Sequence, residues 1–137
     1  MPIRISAKQL VAEANAEIET VPVEAAKKLL GDENTVFIDI RDVRELAREG
    51  RIPGAMHMPR GMLEFWVDPE SPYYRDVFGS GKKFIFFCAG ALRSALATQQ
   101  VQRMGLEPVA HLEGGFGAWR DAGGPIEAPE PKPEKNK

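Results

Sequence analysis

Cys88 is the only cysteine in the 137-residue chain, and it stands where an apolar run gives way to a short loop. The run is Phe84-Ile85-Phe86-Phe87, and the small residues Ala89-Gly90-Ala91 follow the thiol before a helical pattern begins. A thiol there lies at the positive end of a helix dipole and beside unpaired backbone N–H groups, which favour thiolate over thiol. Arg93 closes the loop, and guanidinium suits oxyanions. The pattern predicts a cysteine nucleophile in an anion-binding loop.

The composition narrows what this nucleophile can do. The chain has 18 basic and 20 acidic residues with a net charge of −2, and the two signs are interspersed, so we expect no nucleic-acid partner. One cysteine and two histidines cannot build a structural zinc site or an iron–sulfur cluster, so we expect no metal and no cofactor. An internal disulfide is also impossible. Any group bound to Cys88 must therefore leave to another molecule.

The N-terminal sequence lacks a basic patch followed by an apolar stretch, so we expect no secretory signal. No apolar run approaches the ~20 residues that a membrane span needs. We therefore predict a protein of the reducing cytoplasm without a membrane partner. The oligomeric state cannot be read from the sequence.

Short apolar strands alternate with helices along most of the chain. Strands are predicted at 17–21, 36–40, 56–58, 84–87 and 109–112, and helices at 6–14, 22–30, 42–48, 92–104 and 116–122. This alternation is typical of an α/β fold with a mostly parallel sheet covered on both faces. Ligands of such sheets bind beyond the carboxyl ends of the strands, where Cys88 lies. Residues 61–80 give no readable pattern.

The ends of the chain differ from its middle. We predict an N-terminal helical extension at 1–15, whose helix begins with a capping box formed by Ser6 and Gln9, and a central domain at 16–126. Residues 127–137 are rich in Pro, Glu and Lys, so we predict a disordered tail. In the helix at 92–104, we expect Leu92 and Met104 to face the core.

Three separated stretches resemble signatures of one family. Asp39-Ile40-Arg41, then Glu45, then residues 50–57 resemble the first signature of rhodanese domains. Residues 88–93 are similar to their six-residue active-site loop. Residues 112–125 look like their closing signature. The resemblance implies a single doubly wound domain with a five-stranded parallel sheet. It also implies a sulfurtransferase whose loop cysteine carries a persulfide.

On this resemblance, Cys88 is the expected catalytic residue. The expected substrate-binding groups are the loop from Ala89 through Gly90, Ala91 and Leu92 to Arg93, whose backbone N–H groups would hold the persulfide. The donor would be thiosulfate or a persulfide, and the acceptor a thiol, cyanide or a protein cysteine. Two positions depart from the family: Arg51 stands where His is frequent, and Ala91 where many loops have Gly. The second departure restricts the loop backbone.

Other polar residues have simpler interpretations. We expect Asp39 and Arg41 to serve in capping and in ion pairs with Glu45 or a neighbouring loop, and His57 to be a satisfied, partly buried histidine. Residues 114–115 and Trp119 are interpreted as architectural, because glycines permit a close backbone approach and a large indole packs a helix on the sheet.

Two other functions remain open. Phosphatases and arsenate reductases also use a cysteine–arginine anion loop, but they place five residues between Cys and Arg, whereas this chain has four. A tighter loop disfavours in-line attack on a bound phosphate. The second alternative is a non-catalytic persulfide carrier that serves a dedicated protein partner.

Overall fold

Five parallel strands form one sheet in the computed structural model, which describes residues 2–129. The strands are β1 (Glu19–Val21), β2 (Thr35–Asp39), β3 (Met56–His57), β4 (Lys83–Phe87) and β5 (Val109–Leu112). They lie side by side in the order β1-β5-β4-β2-β3, and every neighbouring pair is parallel. The central strand, β4, ends next to the predicted nucleophile. The predicted fold class is confirmed, with a sheet that is wholly parallel.

Helices cover both faces of this sheet. The helices are α1 (Ala7–Glu17), α2 (Val23–Leu29), α3 (Val43–Glu49), α4 (Leu63–Val67), α5 (Leu92–Arg103) and α6 (Gly115–Asp121), and two 3-10 turns are Arg60–Met62 and Asp76–Gly79. α4 and α5 pack on one face with α1 against α5, while α2 and α6 pack on the other. The two 3-10 turns and α4 occupy most of residues 61–80, the stretch that gave no readable pattern.

The central strand is apolar on both faces because both faces are buried. Phe84 and Phe86 contribute to the core under α4 and α5, whereas Ile85 and Phe87 contribute to the core under α2 and α6. Successive side chains of a strand point to opposite faces, so a continuous apolar run is what a sheet covered on both sides requires. Cys88 follows in the first of these cores.

Three details of the predicted helices were wrong. Leu92 is 64% exposed and Met104 is 42% exposed, so neither belongs to the core. Leu92 begins α5 at the loop, where its side chain meets solvent. At α1, the Ser6 hydroxyl accepts a hydrogen bond from the Gln9 N–H, but the Gln9 side chain bonds to Glu13 instead of turning back. Only half of the expected capping box forms.

The C-terminal segment pairs with the body of the domain. Glu127 and Arg51 exchange backbone hydrogen bonds in both directions, at 3.0 and 2.8 Å. The tail that was predicted to begin at 127 therefore has its first residue held in an isolated bridge, and residues 130–137 lie outside the described residues. The domain limits stay a prediction. None of the helices within residues 2–129 has the length and apolarity needed to cross a membrane.

Candidate active site

The loop after β4 turns sharply before α5 begins. Ala91 occupies the N-cap position of α5 with φ 75° and ψ 4°, which is left-handed backbone. It is the one residue other than glycine with positive φ in the described chain. A left-handed conformation costs an alanine roughly 1–2 kcal/mol, which glycine would avoid. Ala91 therefore adopts the left-handed backbone that glycine takes without penalty, and the loop carries some strain as a result.

The start of α6 clamps the other side of the loop. The Phe116 N–H donates to the Cys88 carbonyl at 2.8 Å, and the Gly117 N–H donates to the Ala89 carbonyl at 3.0 Å. Gly115 has φ 65°, and a Cβ on it would lie 2.5 Å from the Cys88 carbonyl oxygen. The expected close backbone approach is confirmed for Gly115, whereas a Cβ on Gly114 would meet the Ala118 side chain of α6. The approach of Gly115 fixes the residue that bears the thiol.

The Cys88 sulfur lies at the bottom of this loop, and the residue is only 1% exposed. Two atoms of Ser94 contact it: the backbone N–H donates to Sγ at 3.3 Å, and Oγ lies 3.6 Å from Sγ. Ser94 is one residue beyond the predicted set from Ala89 to Arg93. Around the buried sulfur, Gly90 and Leu92 are exposed and form part of the rim.

His111 continues this line of contacts into the core. Its Nδ1 lies 2.9 Å from the Ser94 Oγ, and its side chain is buried under α5. Burial lowers the pKa of the imidazole, which keeps it neutral at neutral pH. Its Nε2 has no hydrogen-bond partner among the described residues. Sequence reasoning missed both Ser94 and His111, although a histidine inside the apolar strand at 109–112 was a signal.

Arg93 does not stand free at the loop. Its guanidinium donates two hydrogen bonds to the Glu45 carboxylate, at 2.7 and 2.9 Å. This contact lowers the pKa of Glu45 to about 2. The pKa of Arg93 is raised, chiefly by Glu45 and to a smaller degree by the nearby Cys88. The structure thus brings Arg93 close to the sulfur. Its carboxylate partner is Glu45, which was expected to form an ion pair in the region of Asp39 and Arg41 instead.

Asp39 and Arg41 form a buried ion pair with each other, so the expected pairing with Glu45 was wrong. The Arg41 guanidinium bonds to Asp39 at 2.8 Å and to the Gly50 carbonyl at 2.8 Å, and it stacks 4.1 Å over the Phe116 ring. The carbonyl contact agrees with the expected contact to a neighbouring loop. These residues link the end of β2 to Gly50 and Phe116, and none of their hydrogen bonds involves the thiol.

His57 and Trp119 each have the kind of contact that was expected of them. The His57 Nε2 lies 2.7 Å from the Arg41 carbonyl oxygen, so this half-buried ring has a partner. The Trp119 Nε1–H donates to the Pro125 carbonyl at 2.7 Å, and its indole is fully buried with its edge against Phe37. Neither side chain is a candidate for the chemistry at Cys88.

The cavities do not compete with the thiol as the site of chemistry. One, of about 410 Å³, lies between α3 and residues 127–129. Another, of about 440 Å³, lies beside residues 30–37 and 53–54, and Cys88 lines neither of them. Within residues 2–129 there is no cluster of three or more His, Cys, Asp or Glu side chains that could hold a metal ion. The buried sulfur and its hydrogen bonds therefore define the candidate site.

Comparison with known proteins gives one family. A family model described as Rhodanese-like domain matches residues 22–122. A curated protein named sulfurtransferase, from Allochromatium vinosum, is 32% identical over 105 residues, which cover 77% of this chain and 90% of that protein.

Two solved structures carry different descriptions. A Rhodopseudomonas palustris CGA009 protein of unknown function, described as a possible tyrosine phosphatase, is 56% identical with a TM-score of 0.90; the match covers 93% of this chain and 98% of that one. The thiosulfate sulfurtransferase of Pseudomonas aeruginosa is 27% identical with a TM-score of 0.69, over 90% of this chain and 23% of that one. The chemistry at Cys88 must decide between these descriptions.

Proposed function

The chain belongs to the rhodanese-like domain family, and from that premise we propose that it moves a sulfane sulfur from a small donor to a thiophilic acceptor through a persulfide on Cys88. One observation carries the proposal: the Cys88 sulfur lies at the bottom of the loop beyond β4, with the Ser94 N–H directed at it at 3.3 Å. An N–H group that points at sulfur stabilises a thiolate, and thiolate is the reactive form.

In the first displacement, the Cys88 thiolate attacks the outer sulfur of the donor. With thiosulfate, the new bond joins Sγ to the sulfane sulfur, the donor S–S bond breaks, and sulfite departs with its electron pair. The product is a persulfide anion on Cys88. Backbone N–H groups between Ala89 and Arg93 are our proposed donors to its outer sulfur, because the first N–H groups of a helix have no partner within the helix and favour an anion.

In the second displacement, an acceptor thiolate, cyanide or a protein cysteine attacks the outer sulfur. The persulfide bond breaks and Cys88 leaves as a thiolate, ready for another cycle. The chain has no second cysteine that could resolve the persulfide internally. We place the reaction in the cytoplasm, because a reducing compartment keeps a lone thiol available.

Phosphatase chemistry is the alternative favoured by the description of the R. palustris protein. Two features of this chain favour sulfur transfer instead. The loop has four residues between Cys88 and Arg93, and Cys88 is only 1% exposed. Thiosulfate is as tetrahedral as a phosphate ester, but the atom that Cys88 attacks is its outer sulfur, whereas a phosphatase must attack the central phosphorus. Only one sulfur atom of the donor therefore has to enter the loop.

Parallel turnover assays test this proposal. We expect the wild-type protein to form thiocyanate from thiosulfate and cyanide, and to leave an aryl phosphate intact. Cys88→Ser should abolish thiocyanate formation. Aryl phosphate hydrolysis that is lost in Cys88→Ser and inhibited by vanadate would establish the phosphatase instead. Slow transfer to every small acceptor, beside fast transfer to one protein thiol, would identify a carrier.

A further inference from the structure

A continuous line of polar atoms runs from the Cys88 sulfur into the core. Sγ lies 3.6 Å from the Ser94 Oγ, which lies 2.9 Å from the His111 Nδ1. All three residues are 1% exposed or less. A buried hydroxyl and a buried imidazole are costly to desolvate, so their alignment on the one thiol needs an explanation.

Cys88 is the titratable side chain to which His111 is linked by hydrogen bonds, because the charged side chains of the neighbouring elements lie at the surface. His111 lies beside Thr20 of β1 and Phe86 of β4 in the sheet, and Ser94 of α5 packs over it. The charged residues of the neighbouring elements are exposed or paired at the surface; they are Lys8, Glu13 and Glu17 of α1, Glu19 of β1 with Lys83 of β4, and Arg93 and Arg103 of α5. Burial alone accounts for the lowered pKa of His111.

We propose that His111 is a positioning residue that takes up the proton of Cys88 through the Ser94 hydroxyl, an inference that rests on the proposed role of Cys88 as the nucleophile. The S–H bond breaks and its proton moves to the Ser94 Oγ. At the same time the Ser94 O–H bond breaks and its proton moves to Nδ1. The products are a thiolate, a hydroxyl that now donates to it, and an imidazolium. Nothing is oxidised or reduced.

The geometry suits this transfer. At neutral pH His111 is a neutral imidazole whose Nδ1 can accept a proton. Burial makes it a weaker base, but this transfer creates a pair of opposite charges instead of an isolated imidazolium. The thiolate then offsets the charge of the imidazolium at the other end of the line. The Ser94 N–H stays directed at the sulfur throughout, so one residue both holds Sγ and passes on its proton.

Alkylation of Cys88 by iodoacetamide across pH measures this coupling without any sulfur donor. We expect both His111→Asn and Ser94→Ala to raise the midpoint of the pH profile by about one unit, which is roughly tenfold slower alkylation at pH 7. Asparagine still accepts the Ser94 hydrogen bond but cannot take up a proton. The double variant, Ser94→Ala with His111→Asn, should show no further shift of the midpoint, because each substitution alone already interrupts the same proton path.

Thr98→Val is the matched control. Thr98 is a buried residue one turn further along α5, and its hydroxyl has no partner among the described residues. Its midpoint should equal that of the wild type. Unchanged midpoints in the single variants, or shifts that add in the double variant, would overturn the relay. If His111→Asn does not fold, Ser94→Thr decides the matter: restoring a hydroxyl should restore the wild-type midpoint, and a midpoint equal to that of Ser94→Ala overturns the proposal.

The test separates the relay from the proposed function. Shifted midpoints in a protein that gains no sulfur from any donor would support the relay and refute the sulfurtransferase. Unshifted midpoints in a protein that turns over thiosulfate would refute the relay and leave the sulfurtransferase in place.

Discussion

Arg93 and Glu45 form a bidentate ion pair, with Nη1 2.7 Å from Oε1 and Nη2 2.9 Å from Oε2. The pair joins the first turn of α5 to the first turn of α3, and so fixes the loop that bears Cys88 from a second side. A cation in the first turn of a helix opposes the helix dipole, and the carboxylate offsets that cost. The one arginine of the loop is therefore only partly available to an anionic donor.

Releasing Arg93 should improve the binding of thiosulfate. In Glu45→Gln, thiosulfate no longer competes with a carboxylate for the Arg93 guanidinium. We therefore expect the KM for thiosulfate to fall severalfold, which corresponds to a free energy on the order of 1 kcal/mol. Arg93→Lys should raise this KM, because an ammonium cannot donate the same pair of hydrogen bonds to the thiosulfate oxygens. Steady-state kinetics with cyanide as the acceptor measure both changes. As a control, Glu19→Gln removes another ion pair, with Lys83 at the opposite end of β4, and should leave the KM unchanged.

The same pair predicts how stability depends on acid. Arg93 lowers the pKa of Glu45 to about 2 in the folded protein, against an ordinary value of about 4.3 in the unfolded chain. The depressed pKa gives stability that is fully present above about pH 4.5 and is lost as pH falls towards 2. Urea unfolding of the wild type and Glu45→Gln should therefore converge across this window. A constant difference in unfolding free energy from pH 5 to pH 2 would contradict the coupling.

Gly115 should resist substitution because it faces the Cys88 carbonyl. Alanine there would place a Cβ 2.5 Å from that oxygen, in addition to adopting positive φ. Gly123 has a similar φ of 76° but nothing within 4 Å of an added Cβ, so it is a matched control. We expect Gly123→Ala to cost about 1 kcal/mol of unfolding free energy, and Gly115→Ala about 1–3 kcal/mol more, with loss of thiosulfate turnover. Equal costs at the two positions would refute the steric account.

Ala91→Gly should relieve strain in the loop. The left-handed backbone of Ala91 costs roughly 1–2 kcal/mol, while the greater freedom of glycine in the unfolded chain costs about 0.4–1 kcal/mol. The net expectation is a gain of about 0.5–1 kcal/mol in unfolding free energy, measured in urea. A loss of stability in Ala91→Gly would show that its methyl group makes a contact worth more than the strain.

The sequence was informative wherever a pattern was local. The apolar run at 84–87 followed by small residues identified β4, the loop and α5, because a strand buried on both faces has a simple signature. Residues 61–80 were unreadable since α4 and the two 3-10 turns are each one or two turns long, too short for a helical period. Leu92 was misjudged because periodicity cannot tell that the first residue of α5 meets solvent.

Contacts between distant residues were beyond reach. Glu45 and Arg93 are 48 positions apart, and both have equally plausible partners nearer in sequence. Ser94 and His111 meet only because β5 lies next to β4 and α5 packs over it. The strand order decides these meetings, and it follows from packing of the whole sheet. The nucleophile was thus predictable, while the groups that hold and tune it were not.

The central claim is that Cys88 carries sulfur between two other molecules. Intact mass spectrometry after incubation with thiosulfate tests it most directly. We expect the wild-type protein to gain the mass of one sulfur atom, to lose it when cyanide or a thiol is added, and Cys88→Ser to gain nothing. A wild-type mass that does not change with thiosulfate or a low-molecular-weight persulfide, or an equal gain in Cys88→Ser, would contradict the account.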